Sequence, residues 1–205
     1  MLVTFLQGVG LAFPAVAQPG PLQAFCLSQT WRIGWRRAWP MAFAPLLSDG
    51  PIIALVWLAL TRLPAWLITG LRLTGGLFLL YLAWSAWRQA HRPNSAPTPS
   101  AEAGQRSLLK ATLVNLLNPN PYLFWATVAG PLLLAHWRTG SAEGLAFLIG
   151  FYGTLVGGLG LLMAGLGWVQ GVDQAGRFGR IFTPLSILLL LFFSAYQFIT
   201  LAITH

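Results

Sequence analysis

Residues 16–25 read VAQPGPLQAF and residues 116–125 read LLNPNPYLFW. Each stretch sets a Pro-x-Pro inside a long apolar run. Proline lacks the amide N–H of a helix and its ring clashes with the carbonyl four residues back. Two helices are therefore predicted to break, one hundred positions apart. The carbonyls near Ala15, Ala17, Asn115 and Leu117 are the ones expected to lose helical partners.

The solvent around these breaks follows from composition. Of 205 residues, 56% are hydrophobic and 8% charged. A soluble domain carries roughly a quarter charged residues, so this chain cannot cover a water-facing surface. Ten tryptophans suit rings seated at lipid interfaces. The net charge of +8 comes from basic residues lying between apolar runs. Such residues fix orientation and touch anionic lipid, and no nucleic-acid partner is expected. The one cysteine, Cys26, excludes an internal disulfide and two-thiol redox chemistry.

Six apolar spans are predicted, near Leu2–Leu27, Ala38–Leu60, Pro64–Trp87, Leu108–Ala135, Leu145–Val169 and Ile181–Ile203. Each reaches the roughly 20 residues that a helical crossing requires. The runs are continuous, without the alternation of a membrane β-barrel. The tight link Thr61–Arg62–Leu63–Pro64 makes spans two and three an antiparallel hairpin. Ala15-Val16-Ala17 resembles a signal cleavage site, but no basic residue precedes the apolar run, so span one is expected to be retained.

Nine of the twelve basic residues fall in alternate connections: Arg32, Arg36 and Arg37; Arg88, Arg92, Arg106 and Lys110; Arg177 and Arg180. Arg62 and Arg138 lie on the other side, and Arg72 is inside span three. The positive-inside rule then places both termini outside the cytoplasm. The Pro/Ser/Ala-rich segment 88–107 reads as a cytoplasmic linker between repeats of about 1–87 and 108–205 within a single transmembrane domain.

Three spans per half force the halves to be inverted if they share a fold. At an offset of one hundred, Gln18 meets Asn118, Pro19 meets Pro119, Pro21 meets Pro121 and Phe25 meets Trp125. Interrupted segments at matching positions in two halves point to a transporter's binding site. The solute-contacting set read from the breaks is Gln18, Pro19, Gly20, Pro21, Asn115, Asn118, Pro119, Asn120 and Pro121. The amides offer hydrogen bonds without charge. A helix restarting at Pro21 or Pro121 presents N–H groups and a positive dipole end that suit a carboxylate. The alternative is that the prolines only kink helices for packing.

Asp49, in LLSDGPII, is the one carboxylate inside a span. Burying it costs roughly 3 kcal/mol on insertion scales. Two readings follow, and they are compatible: a group that couples solute movement to protons, or a structural ion pair with Arg72. Gly153-x-x-x-Gly157 in span five is expected to mark close helix packing.

At this point the chain resembles the LysE/RhtB family of small exporters of amino acids and related metabolites. The likeness rests on QPGP in span one, the Asp of span two, LRLTGGLFLLYLAWSAWR in span three and NLLNPNPYLFW in span four. It covers nearly the whole chain. It implies a six-helix exporter of the bacterial inner membrane, driven by ion motive force and not by ATP. It directs attention to Pro19, Gly20, Pro21, Asp49, Asn118 and Pro119. Two positions depart from the pattern. Asn120 stands where the family more often has the lysine of Asn-Pro-Lys. Gly75-Gly76-Leu77-Phe78 stands where Gly, Ala and then Tyr are more usual.

Other classes fit less well. His91, His136 and His205 lack metal-ligand spacing, and no phosphate-binding loop is present. Catalysis would need a nucleophile, metal cluster or acid/base pair. The expectation is an all-α membrane protein of six transmembrane helices in two inverted three-helix repeats. It is read as a transporter and not an enzyme, with no cofactor. Its partners are a small-molecule solute and membrane lipid; a homo-oligomer is compatible with the sequence. The alternative function is export of a divalent metal ion by a similar architecture, which would call for several acidic residues inside the helices.

Overall fold

A computed structural model describes residues 1–17, 20–58, 65–90, 101–172 and 177–203. Among them the chain is all-helical and has no strand. Gln18, Pro19, the Thr61–Pro64 hairpin link and Arg92 lie outside the described residues.

Both sequence breaks fall between helices. The first run divides into α1 (Leu2–Ala17) and α2 (Pro21–Ile33), whose axes differ by 64°. Gly34, with φ of 82°, ends α2; this left-handed region is open to glycine without strain. A short α3 (Trp35–Ala38) and a 3₁₀ turn (Trp39–Phe43) lead into α4 (Ala44–Leu58), and α5 (Ala65–Ala90) completes the first half. The second run is split further: α6 (Ala101–Leu116), α7 (Pro119–Phe124), a π-helical turn (Trp125–Ala129) and α8 (Gly130–Thr139). Long α9 (Ser141–Val172) and α10 (Arg177–Ile203) follow.

The breaks do not match at the offset read from sequence. Helix restarts at Pro21 in one half and at Pro119 in the other, an offset of 98. Proline is favoured at the first helical position because its missing N–H has no intrahelical partner there. The residue before each proline, Gly20 or Asn118, is extended, as a residue preceding proline prefers.

Among the described residues three helical stretches are long and apolar enough to cross a membrane: Trp35–Trp57, Trp66–Arg88 and Ser141–Gly171. The bent pair α1–α2 makes a fourth if it counts as one span. The predicted fourth span, 108–135, is divided between α6 and the helical stretch Pro119–Thr139, and neither part is among these crossings; in α10 the apolar stretch found is the shorter Ile187–Thr200.

Helix α1 lies along α9, α5 along α10, and α4 along α6. The α1–α9 approach is a backbone approach. A Cβ on Gly8 would meet the carbonyl of Phe147, and one on Gly150 the carbonyl of Phe5. Gly158 receives the Val16 side chain. The packing glycines are thus not Gly153 and Gly157, where a Cβ meets nothing within 4 Å. Gly150 and Gly158 share one i, i+4 row of α9, and α1 lies along that row. Gly153 and Gly157 belong to the neighbouring row.

Two apolar clusters form the interior. One gathers Phe25, Met41, Leu79, Leu159 and Leu190 from α2, the 3₁₀ turn, α5, α9 and α10. The other gathers Ile52, Trp125, Phe147 and Phe151 from α4, the π-turn and α9. A cavity opens at their seam, with Leu22 and Leu159 of the first cluster and Phe151 and Leu155 of the second on its wall.

Candidate functional site

The cavity has a volume of about 460 Å³. Its wall brings together seven of the residues singled out from sequence: Gly20, Pro21, Asp49, Asn115, Asn118, Asn120 and Pro121. Both helix breaks therefore open onto one space. Pro119 is buried at the first position of α7 and is not on the wall.

Each break carries its own repair. Helix α1 stops at Ala17, and the carbonyl of Ala15 accepts a hydrogen bond from Gln23 Nε2 at 2.6 Å. Helix α6 stops at Leu116, whose carbonyl accepts from Tyr122 Oη at 2.9 Å. In both halves a side chain from the restarting helix reaches back to a carbonyl freed by the break. An unpaired buried carbonyl would cost about 1–3 kcal/mol, so these bonds allow the backbone to remain open. The Asn115 carbonyl, expected to lose its partner, keeps one. The Asn115 carbonyl accepts from Asn118 N–H at 3.2 Å, and Leu117 N–H still reaches Leu113 at 2.9 Å. The Leu117 carbonyl lies against Gly75 so closely that a Cβ there would collide with it.

Asp49 is 4% exposed, and its carboxylate is ringed by neutral donors. Oδ1 accepts from Asn115 Nδ2 at 3.1 Å and from Ser48 Oγ at 3.4 Å. Oδ2 accepts from Trp125 Nε1 and from Tyr152 Oη, each at 3.2 Å. The donors come from α4, α6, the π-turn and α9. Asn115 Nδ2 also donates to Ser48 Oγ at 2.7 Å. The Asp49–Arg72 ion pair expected from sequence is not formed. Arg72 Nη1 instead donates to the Thr200 carbonyl at 3.0 Å, which ties α5 to α10. Since Arg72 is also off the cavity wall, its ion-coupling role has no geometric support.

Sequence reading missed Trp125 and Tyr152 as partners of Asp49. The π-turn at Trp125 brings the indole N–H to Asp49, and single π-turns are frequent at functional sites. Its sequence signal is Gly130-Pro131. Pro131 cannot donate a helical N–H, and a Cβ on Gly130 would collide with the Trp125 carbonyl. Trp125 is held edge-on to Phe151, with centroids 5.4 Å apart, and stacked with Tyr152 at 6.4 Å. Tyr152 gives no local signal, because its role depends on how α9 packs. Among the described residues no group of three or more His, Cys, Asp or Glu side chains is placed to hold a metal ion.

Comparison with known proteins gives consistent relatives. The chain is 30% identical over 140 residues to a threonine efflux protein of Escherichia coli (strain K12), covering 62% of this chain and 66% of that protein. It is 31% identical over 142 residues to the arginine exporter protein ArgO of Serratia proteamaculans (strain 568), covering 64% and 66%. The chain thus spans 66%, just short of two thirds, of the length of these curated relatives. No solved structure matches. The model of the LysE type translocator family matches residues 13–196, which include both breaks, Asp49 and every residue of the cavity wall except Gln197, and the chain belongs to that family.

Proposed function

We propose that this protein is a secondary-active exporter of amino acids or similar small polar metabolites across the bacterial inner membrane, coupled to proton motive force. The observation that carries this reading is the shared cavity, with two broken helices and one neutral-ringed carboxylate on a single wall. Its volume lies in the range of about 300–1,000 Å³ usual for small-molecule sites. Irregular backbone is tolerated inside a membrane protein where it lines such a space. A buried carboxylate without a cation is costly, so Asp49 is suited to bind a proton or a substrate ammonium in turn.

Six crossings in two inverted halves belong to the same proposal. If α1, α2, α4 and α5 correspond to α6, α7, α9 and α10, exchanging the halves turns the α1–α9 packing into α6–α4. It turns α2–α9 into α7–α4 and α2–α10 into α7–α5, and leaves α5–α10 unchanged. All of these pairings occur. The charge distribution supports an orientation with both termini outside the cytoplasm.

The test uses purified protein in proteoliposomes preloaded with labelled amino acids, with a pH gradient imposed. Efflux that follows the gradient and collapses with a protonophore is the expected result. Efflux indifferent to the gradient would remove proton coupling, and absence of efflux for every amino acid would remove the function.

A further inference from the structure

The two breaks look alike in sequence but differ in what they offer a ligand. At α7 the first and third positions are Pro119 and Pro121, which have no N–H, and the N–H of Asn120 is taken by Asn118 Oδ1 at 3.1 Å. The first three positions of α7 therefore have no free N–H. At α2 only the first position is proline. Gly20 provides no side-chain cap, and the first backbone bond is Ala24 N–H to the Gly20 carbonyl at 2.9 Å. The N–H groups of Leu22 and Gln23 are left without a partner among the described residues, and both residues line the cavity.

A second observation lies on another element. Gln197 of α10 is 3% exposed, and no described residue bonds its side-chain amide. It lines the cavity, and it also borders a small void shared with Pro21 and Asn118, beside the start of α2. An amide on a cavity wall without a protein partner is open to a hydrogen bond from a ligand in the cavity. The third observation is the charge inventory. Among the described wall residues Asp49 is the one charged side chain; the other polar ones are amides, Trp125 and Tyr196.

We propose that the cavity selects zwitterions with an uncharged side chain and holds them in one polarity. The ammonium lies at Asp49, and the carboxylate lies at the Leu22 and Gln23 N–H groups with Gln197 as the specificity residue. This rests on the exporter reading and narrows it. Asp49 balances one cation, so a guanidinium or second ammonium has no anion to meet. An acidic side chain has no cation to meet. The carboxylate is matched by neutral donors and the positive end of α2. Gln197 was not legible in sequence, because it belongs to neither break.

The experiment is counterflow in proteoliposomes of the full chain with labelled L-threonine, L-leucine, L-arginine and L-glutamate, together with the carboxamide of the best substrate as competitor. The expected order is an uncharged amino acid first, with arginine, glutamate and the carboxamide at least about tenfold weaker. Gln197→Leu should raise KM about 10- to 100-fold, the effect of losing one hydrogen bond to a charged group, at equal inserted protein. It should also narrow the gap between the amino acid and its carboxamide. Gln197→Glu, nearly the same shape, should reverse that preference by repelling the carboxylate. A merely structural Gln197 would leave the amino acid-to-carboxamide ratio unchanged in both variants, and that result overturns the assignment. Arginine or glutamate equalling the best neutral substrate in the parent overturns the selectivity while the exporter reading stands. No counterflow with any of the four ends both.

Discussion

Asp49 meets four donors from four segments, and none of them is a cation. Such a ring stabilises a carboxylate in place while leaving its charge unbalanced, which suits a group that must gain and lose a positive partner. Asp49→Asn keeps the shape and removes the charge. The expected outcome is loss of gradient-driven export at normal insertion, read as transport per inserted molecule. Normal export by the Asp49→Asn variant under an imposed pH gradient would make Asp49 structural. Tyr152→Phe and Asn115→Leu each remove a donor from a buried carboxylate. Each should lower stability by about 1–3 kcal/mol, measured as a fall in thermal unfolding temperature in detergent. Introduced on the Asp49→Asn background, Tyr152→Phe should cost less, because a neutral amide loses less than a carboxylate when a donor is withdrawn.

At the scale of the helices, the breaks are held open by side-chain bonds to freed carbonyls. Tyr122→Phe leaves the Leu116 carbonyl without that partner, so export should fall more than protein level does. Pro119→Ala restores an N–H at the restart of α7, and Pro21→Ala does the same at the restart of α2. If the breaks form the site, these variants insert as well as the parent yet transport less. If the breaks are packing kinks, export should fall only in step with protein level. The α1–α9 pairing makes a separate claim. Gly150→Val would drive a side chain into the Phe5 carbonyl and should destabilise the fold by several kcal/mol, of the order seen for overpacking. The same change at Gly153, where a Cβ has open space, should cost far less. Thermal unfolding of the two variants side by side checks this.

Across the whole molecule, large apolar side chains face outward. Trp66 and Trp168 are each 73% exposed and Leu161 is 75% exposed. In water such a surface would aggregate; in a bilayer it is the expected lipid contact. Arg88 lies over the Trp84 ring at 5.3 Å, near the end of α5, where a cation and an indole suit the lipid headgroup level. The basic residues on alternate connections set the orientation proposed. A reporter active only outside the cytoplasm, fused after His205, should therefore work. Activity of a cytoplasm-only reporter at the same position would sink the six-crossing arrangement.

By itself the sequence determined the solvent, the helical class and the places where helices stop. Apolar run length, sparse charge and proline chemistry act locally, so Pro21 begins a helix as expected, while the second restart falls at Pro119 and not at the expected Pro121. It also located seven residues of the cavity wall, because the unusual residues of a membrane helix cluster there. Tertiary structure alone decided which partners Asp49 has. Tyr152 reaches it from 103 positions away and Trp125 through a π-turn, while Arg72 is drawn to Thr200 instead. It decided which glycines of α9 touch α1, since Gly150 and Gly153 differ only in the helical row that faces the neighbour. It also made the two breaks chemically unequal, by the placing of prolines against the helix start and by setting an unpartnered Gln197 beside one of them. Hydrogen bonds and close approaches depend on tenths of an ångström between distant segments, and periodicity along one chain carries no such information.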